Sequence, residues 1–506
     1  MAVYVFSLLV GFYHSGVDSA QGKRGPMLHA TGREIHQVFT DLPDENYFKR
    51  YVDAGVPAED IMCAHMAFTD DPYSDKFMTV PDKIAEFKRL YPGAESKRNA
   101  GSVDIFYGGS RIAVIQRSPM NPDYVGCVMY FNHERLIYEE HTIHSIKYYD
   151  YFITAHTADG TPYAKQVRRV FKNSDGSVGL EIRQYQGEDR YLLPDGRYMN
   201  QVEFLTEFIK RMNFTEQDII IQDRFALLNY VPLLYQYASR AKFACVLHSD
   251  HYFLPGQDPN CVNTNTEYLF LFNNLQYVDA FIVSTDSQKE QLADFLRRNN
   301  RPVPRIEVIP AGCVFELKHP AKDRRPGSII TVARFDPRKR NDLVIKAAIA
   351  AHSVNPHVSL DIYGGGSDEE TSYLQGIIDD NGAADYVHLM GQHDLTDVYQ
   401  DYEVFATASL WETLGLAMLE AVGAGVCMVG FDAKYGNLAF IEDGGNGRML
   451  TEQDSQDLAG DLGQAIVEVL SDSEQLQRYQ ARSYEIAQRY TYERVSEMWK
   501  RFLDSL

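Results

Sequence analysis

The stretch Val404-Phe-Ala-Thr-Ala-Ser-Leu-Trp-Glu-Thr-Leu-Gly-Leu-Ala-Met-Leu-Glu-Ala-Val-Gly-Ala-Gly-Val-Cys-Met-Val-Gly-Phe431 contains two short apolar runs, Val404–Ala408 and Val426–Phe431, with a helical pattern between them. Apolar runs this short describe strands covered on both faces, and the helix between them describes a parallel crossover. Working outward, the same alternation gives strands at Ser328–Val332, Val358–Tyr363 and Tyr386–Met390. These belong to a doubly wound parallel sheet.

A similar pattern runs from Asp218 to Pro310, with strands at Asp218–Gln222, Phe243–Leu247, Ala280–Val283 and Arg305–Ile309. With a first strand at Met1–Val10 it makes a second Rossmann-like unit. Met1–Val10 is apolar but has no basic flank and no small-residue cleavage site, so it reads as a buried strand rather than a signal peptide. Lys318-His-Pro-Ala-Lys-Asp-Arg-Arg-Pro-Gly327 is polar and Pro-containing and reads as an interdomain hinge.

Between these parts the alternation breaks. Asp159-Gly160, Asp175-Gly176 and Asp195-Gly196 each sit between β-forming runs, which signals hairpins. Further strands are expected at Ile112–Ile115 and Tyr148–Thr154. The expected fold class is therefore α/β, with two Rossmann-like domains facing a cleft and an inserted antiparallel β-meander. The boundaries are 1–76 and 200–317 for the N-terminal, acceptor-side domain, 77–199 for the meander, and 318–485 for the C-terminal domain. A C-terminal helix, 486–506, is expected to return to the N-terminal domain.

Composition narrows the function. The 506 residues exceed one ordinary core, and the 45% hydrophobic, 24% charged balance is that of a globular protein. A formal net charge of −21 argues against a nucleic-acid partner. Cys63, Cys127, Cys245, Cys261, Cys313 and Cys427 are scattered, without C-x-x-C or zinc spacing, and read as buried free thiols of a reducing compartment. No segment has the apolar length of a membrane span, so a cytoplasmic protein with at most peripheral membrane contact is expected.

Four motifs carry chemistry. Gly11-Phe-Tyr-His-Ser-Gly16 precedes an expected helix, Val17–Arg24, and its free N–H groups could face a phosphate; a turn that needs glycine for sterics explains it equally well. Arg334 and Arg338-Lys339-Arg340 follow the strand Ser328–Val332, where α/β sheets bind ligands, although alone they read as a solvated basic loop. Glu412 and Glu420 flank a helix expected to start near Gly415 or Leu416. One carboxylate would lie in the preceding loop and the other in the first turns, both suited to hydroxyl groups. A capped helix with one solvent-facing Glu is the plainer explanation. Tyr435-Gly-Asn437 and Ile441-Glu-Asp-Gly-Gly-Asn-Gly447 follow Val426–Phe431 and are rich in turn residues, with Asn446-Gly447 fitting a hairpin.

Together, the basic loop, the E-x7-E element and I-E-D-G-x-N-G resemble family-four retaining glycosyltransferases of the GT-B fold. Ser15-Gly-Val-Asp-Ser-Ala-Gln21, Val246-Leu-His-Ser-Asp-His251, Phe281-Ile-Val-Ser-Thr-Asp286 and Tyr435-Gly-Asn437 are similar to the GtfA-type enzymes, which start O-glycosylation of serine-rich repeat adhesins exported by the accessory Sec route. The resemblance spans the whole chain. It implies Arg334 and Lys339 on the diphosphate, Glu412 and His248 on the donor sugar, and Glu420 on the ribose. Gly16, Gly415 and Leu416 would complete the phosphate cradle. The family's E-G-F-G-L reads Glu412-Thr-Leu-Gly-Leu here, so Thr413 and Leu414 alter the wall nearest the sugar and leave UDP-GlcNAc and UDP-glucose both open.

The implied activity is transfer of GlcNAc or glucose from a UDP-sugar to Ser/Thr hydroxyls of a serine-rich repeat adhesin, with no metal or other cofactor. Implied partners are the acceptor polypeptide and a catalytically silent GtfB-type protein, or further copies of this chain through the meander. Competing expectations are a glycosyltransferase for a wall polymer such as poly(ribitol phosphate), a catalytically silent acceptor-binding chaperone, and a sugar-nucleotide epimerase. The silent chaperone should lack the basic loop and the paired glutamates, and the epimerase should lack the meander.

Overall fold

The computed structural model describes residues 2–7, 16–43, 45–70, 78–143, 146–223, 230–252 and 265–506. Two compact units divide the chain, one of residues 1–14 and 32–244, the other of 15–31 and 245–506.

In the first unit the strands Ile219–Gln222, Ala2–Ser7, Glu34–Phe39 and Ile61–Cys63 pair side by side, all parallel. Val3, Val5, Phe6, Ile220 and Ile221 are almost fully buried, as continuous apolar runs in a two-sided sheet require. The rest of the unit is dominated by a ten-stranded antiparallel sheet from Glu95–Arg98 to Tyr198–Met199, ordered as a meander. The three Asp-Gly turns are where the sequence places them, with Gly160, Gly176 and Gly196 at φ between +86° and +89°. Such angles are strained for any residue with a Cβ. Helix Val80–Leu90 packs on the early strands through Phe87, Val103, Ile105 and Ile115. Helix Gln201–Met212 packs on the later ones through Phe204, Phe208, Phe171 and Leu180. Asn200 and Glu203 close the start of Gln201–Met212 in a reciprocal capping box.

The second unit takes up the chain at Cys245, within the strand Lys242–Val246. Its largest element is a six-stranded sheet ordered Val387–Gly391, Ser359–Tyr363, Ser328–Val332, Val404–Thr407, Cys427–Phe431, Gly447–Leu450, parallel throughout. The expected strands match within a residue or so at either end.

Three local expectations change. Asn446-Gly447 makes no hairpin, because Gly447 opens a strand parallel to Cys427–Phe431. A Cβ at Gly447 would lie 1.7 Å from the Met428 carbonyl oxygen, so the glycine permits close strand approach. Buried Asn446 satisfies the turn instead, donating to the Phe440 carbonyl at 2.8 Å and accepting from the Glu442 N–H at 2.7 Å. The helix expected at Val17–Arg24 runs Gly16–His29, through Pro26. Burial of Met27 and Leu28 carries it past a residue of poor helix propensity. Glu412 lies in a two-residue strand, Trp411–Glu412, paired with Lys434–Tyr435, and not in an open loop.

The Lys318–Gly327 stretch is held to the six-stranded sheet. Arg324 donates to the carbonyls of Gln400, Tyr402, Ala424 and Gly425, and Arg325 pairs with Asp361 at 2.8 Å. The C-terminal helix Tyr492–Ser505 buries Trp499, Phe502 and Leu503. It packs against Gly16–His29, where the Arg24 guanidinium stands 5.7 Å over the Trp499 ring and the Tyr492 hydroxyl donates to the Pro26 carbonyl. Among the described residues no helix is long and apolar enough to cross a membrane. Cys63, Cys127, Cys245, Cys313 and Cys427 are free and buried; Cys261 lies outside the described residues.

Candidate active site

Strand order in the C-terminal sheet reverses between Ser328–Val332 and Val404–Thr407, because successive strands lie on opposite sides of that boundary. Loops leaving the two strands diverge there and open a ligand site at the carboxyl ends. One loop carries Arg334 and Lys339, the other Ser409 to Gly415.

The structure separates the cations of the basic loop. The Arg338 guanidinium bonds Asp336 through Nε at 2.8 Å and Nη2 at 2.5 Å, and this pairing pulls the Asp336 carboxyl down to about 2. Arg340 forks onto Glu452 at 2.8 and 3.0 Å and also donates to the Ala408 carbonyl. Lys339 alone of the three reaches Glu412, with Nζ 2.5 Å from Oε1, both side chains only about one-fifth exposed (18% and 21%). Arg334 is 62% exposed and stands 3.9 Å from Asp336, so its guanidinium is available to a ligand.

Glu412 is fixed from several directions. The Ser409 hydroxyl donates to Oε1 at 3.0 Å, and the Glu412 carbonyl accepts from the Gly436 N–H at 2.8 Å. Gly415, at φ +81°, caps the helix Leu416–Gly423, where the first N–H groups lack helical partners and the dipole favours an anion. A Cβ there would strike the Met418 methyl at 2.3 Å. Leu416 is partly exposed beside it, while Leu414 packs inward with Met418 and Leu419. Thr413 donates its hydroxyl to the His248 carbonyl at 2.8 Å, so the segment after Lys242–Val246 is tied to the Glu412 loop. The His248 and Ser249 N–H groups both donate to the Tyr268 hydroxyl.

Glu420 has both carboxylate oxygens engaged. Lys23, on the helix Gly16–His29, donates to Oε1 at 2.9 Å, and the Tyr399 hydroxyl donates to Oε2 at 3.0 Å. Burial raises the Tyr399 phenol well above its ordinary range, and the Glu420 charge adds to this. Gly16 opens the Lys23 helix; Gly11–Ser15 lie outside the described residues.

Beside His248, Asp250 is fully buried next to the Tyr435 hydroxyl. Burial pushes its carboxyl up, opposed by Tyr435 and Lys434. His251 is held down to about 3 by burial and by Lys434, hence neutral, while Lys434 donates to the Tyr252 hydroxyl at 2.7 Å. Sequence reading missed Lys23, Tyr399, Ser409 and Asp250 as parts of this constellation. Two of them had a nearby signal: Lys23 lies two residues beyond the Ser15–Gln21 motif, and Asp250 lies inside Val246–His251.

A basic loop and a carboxylate held together at the reversal point of a parallel sheet, beside a helix start, define a sugar-nucleotide transferase. Residues 315–486 match the family described as "Glycosyl transferases group 1", and the fold is GT-B. The chain belongs to the family of the UDP-N-acetylglucosamine--peptide N-acetylglucosaminyltransferase GtfA subunit: it is 30% identical to that protein from Streptococcus pneumoniae over 513 residues, 100% of this chain and 99% of the relative. The crystal structure of the pneumococcal O-GlcNAc transferase GtfA in complex with UDP and GlcNAc superposes with a TM-score of 0.84 at 29% identity, covering 100% of this chain and 99% of that one. The crystal structure of a GtfA/B complex gives the same TM-score, identity and coverage.

Proposed function

We propose that this protein transfers GlcNAc from UDP-GlcNAc to Ser/Thr hydroxyls of a polypeptide, with retention of anomeric configuration, in the cytoplasm. The observation that carries this reading is the Lys339–Glu412 pair at the strand-order reversal, in a chain that aligns end to end with a transferase crystallised with UDP and GlcNAc. On ligand binding, Lys339 and Arg334 turn to the diphosphate. Glu412, released from the lysine, accepts hydrogen bonds from sugar hydroxyls. His248 stands on the neighbouring segment to meet the sugar, and Glu420 exchanges Lys23 for the ribose hydroxyls.

The reaction runs on one face of the sugar. The anomeric carbon–oxygen bond to the diphosphate breaks as the acceptor oxygen bonds to the same carbon. The acceptor proton passes to the leaving phosphate oxygen. No enzymic nucleophile takes part. Charge building on the diphosphate is met by Lys339, Arg334 and the helix start at Gly415–Leu416. A divalent ion is not needed for that role. The acceptor is a serine-rich repeat adhesin, and a GtfB-type protein is the partner.

The test combines purified protein, alone and with a GtfB-type partner, with UDP-GlcNAc or UDP-glucose and a Ser/Thr-rich polypeptide in EDTA. Acceptor-dependent UDP release with intact-mass steps of one N-acetylhexosamine is expected. Hexose steps would overturn the donor assignment, and no steps from the folded complex would overturn the activity.

A further inference from the structure

The meander carries a second cluster of chemistry-bearing side chains, none of which the transferase reading uses. Cys127, on the strand Val125–Asn132, stands directly opposite His141, on Arg135–Ile143. Glu139 precedes His141 by two residues, so alternation puts it on the same face. The thiol sulfur, an imidazole nitrogen and a carboxylate oxygen of these three residues lie within 4.8 Å of one another. An i,i+2 pair with a third residue opposite on the adjacent strand converges on one point above a sheet, since facing Cβ atoms are ~5 Å apart.

The charges around this point do not balance. His141 Nε2 is 3.0 Å from Glu139 Oε2 and 3.7 Å from Asp150 Oδ2. The Arg169 guanidinium, the nearby cation, forks onto both Asp150 oxygens at 2.7 Å, and Gln166 adds a bond at 2.8 Å. Glu140 is matched by Lys83 and Lys147. Glu139 has no cation among these contacts. A positive ion would relieve this crowding, and a bound metal deprotonates its thiol ligand.

The donor set also selects among metals. Thiolate, imidazole and carboxylate are all zinc ligands, whereas magnesium and calcium take oxygen. One support is present: Tyr148 stacks on the His141 ring with centroids 4.5 Å apart and planes 9° from parallel, which fixes the plane of the imidazole. Cys127 is 7% exposed, while Glu139 and His141 are less deeply covered, which leaves a path from solvent.

We propose that Cys127, Glu139 and His141 bind one zinc ion on the meander, with water in the fourth position. The ion cross-links Val125–Asn132 to Arg135–Ile143, and as it binds the Cys127 thiol proton leaves to solvent. Linear spacing conceals the site, because its ligands meet across a hairpin.

The test uses the full chain, stripped with a chelator and titrated with cobalt(II). A thiolate-to-cobalt charge-transfer band saturating at one ion per chain, and abolished by added zinc, is expected. Cys127→Ser should remove the band. Glu139→Gln, at a more accessible ligand and with circular dichroism to confirm folding, should weaken cobalt binding at least about tenfold. Absence of the band from the folded wild-type chain, its persistence in Cys127→Ser, or unchanged affinity in folded Glu139→Gln would each overturn the assignment.

Discussion

Replacing Lys339 with Met keeps the length of the side chain and removes its charge. In the structure the ammonium stands 2.5 Å from a carboxylate oxygen and is largely shielded from solvent. A unit charge about 3 Å from a phosphate oxygen, in an effective dielectric near 20, contributes roughly 5 kcal/mol. Arg334 and the helix start share that work, which brings the expected loss to about 3–4 kcal/mol, or ~10²–10³ in turnover. Because the charge on the diphosphate grows as the bond breaks, kcat should fall far more than donor KM rises. The assay is initial-rate UDP release across donor concentrations, with thermal melting to establish folding. Arg338→Met is the internal control, since its guanidinium is held by Asp336 and does not reach Glu412. That variant should lose less than about threefold, the ~0.5 kcal/mol range of surface substitutions. Turnover within tenfold of wild type in a folded Lys339→Met protein would refute the reasoning.

Other outcomes follow from the same geometry. Lys23→Met frees one oxygen of Glu420 from an ion pair and should tighten UDP binding by up to about fivefold, the scale of a partly exposed pair; calorimetry showing weaker binding would contradict the ribose assignment. Gly436→Ala puts a Cβ 2.0 Å from the Leu414 carbonyl oxygen, so the Trp411–Glu412 and Lys434–Tyr435 pairing should separate and activity fall at least about tenfold, a 1.4 kcal/mol effect. Initial rates near wild type would show that this pairing does not position Glu412. Burial disfavours the Glu140 carboxylate, but Lys83 and Lys147 outweigh it and hold the carboxyl down to about 2. Its contribution to stability is therefore complete above about pH 4.5 and lost as pH falls toward 2, to a limit of roughly 3 kcal/mol. Glu140→Gln should lower the denaturation midpoint at pH 7 and flatten its acid dependence; an unchanged midpoint would contradict this.

The parallel strands were legible because their signal is local: five residues of unbroken apolar character leave few alternatives to a covered strand. The Asp-Gly hairpins were legible because positive φ is a property of the glycine itself. The association of Lys339 with Glu412 came through motif resemblance, and their contact could not be read from spacing. What stayed hidden depends on residues far apart in sequence. Which of three consecutive cations reaches Glu412 is decided by Asp336, which takes Arg338 from two residues away, and by Glu452, which takes Arg340 from 112 residues away. Pro26 and Gly25 mark a helix end, and only burial of Met27 and Leu28 overrules them. Asn446-Gly447 has hairpin chemistry, but the approach of Met428 sets its use. Lys23 and Glu420, 397 residues apart, share no local signal.

The packing of Gly16–His29 on Tyr492–Ser505 has a consequence for biosynthesis. The Tyr492–Pro26 hydrogen bond joins residues 466 positions apart. At ~5–20 residues per second, the early helix waits on the order of half a minute to a minute and a half before its partner leaves the ribosome. Throughout that interval the seat for Trp499 stays open, and the lysine that holds Glu420 rides on an undocked helix. Translation of the last helix is thus the step that seats the helix carrying Lys23, and a nascent chain stalled before Tyr492 would carry the Ser15–Gln21 motif without its final arrangement.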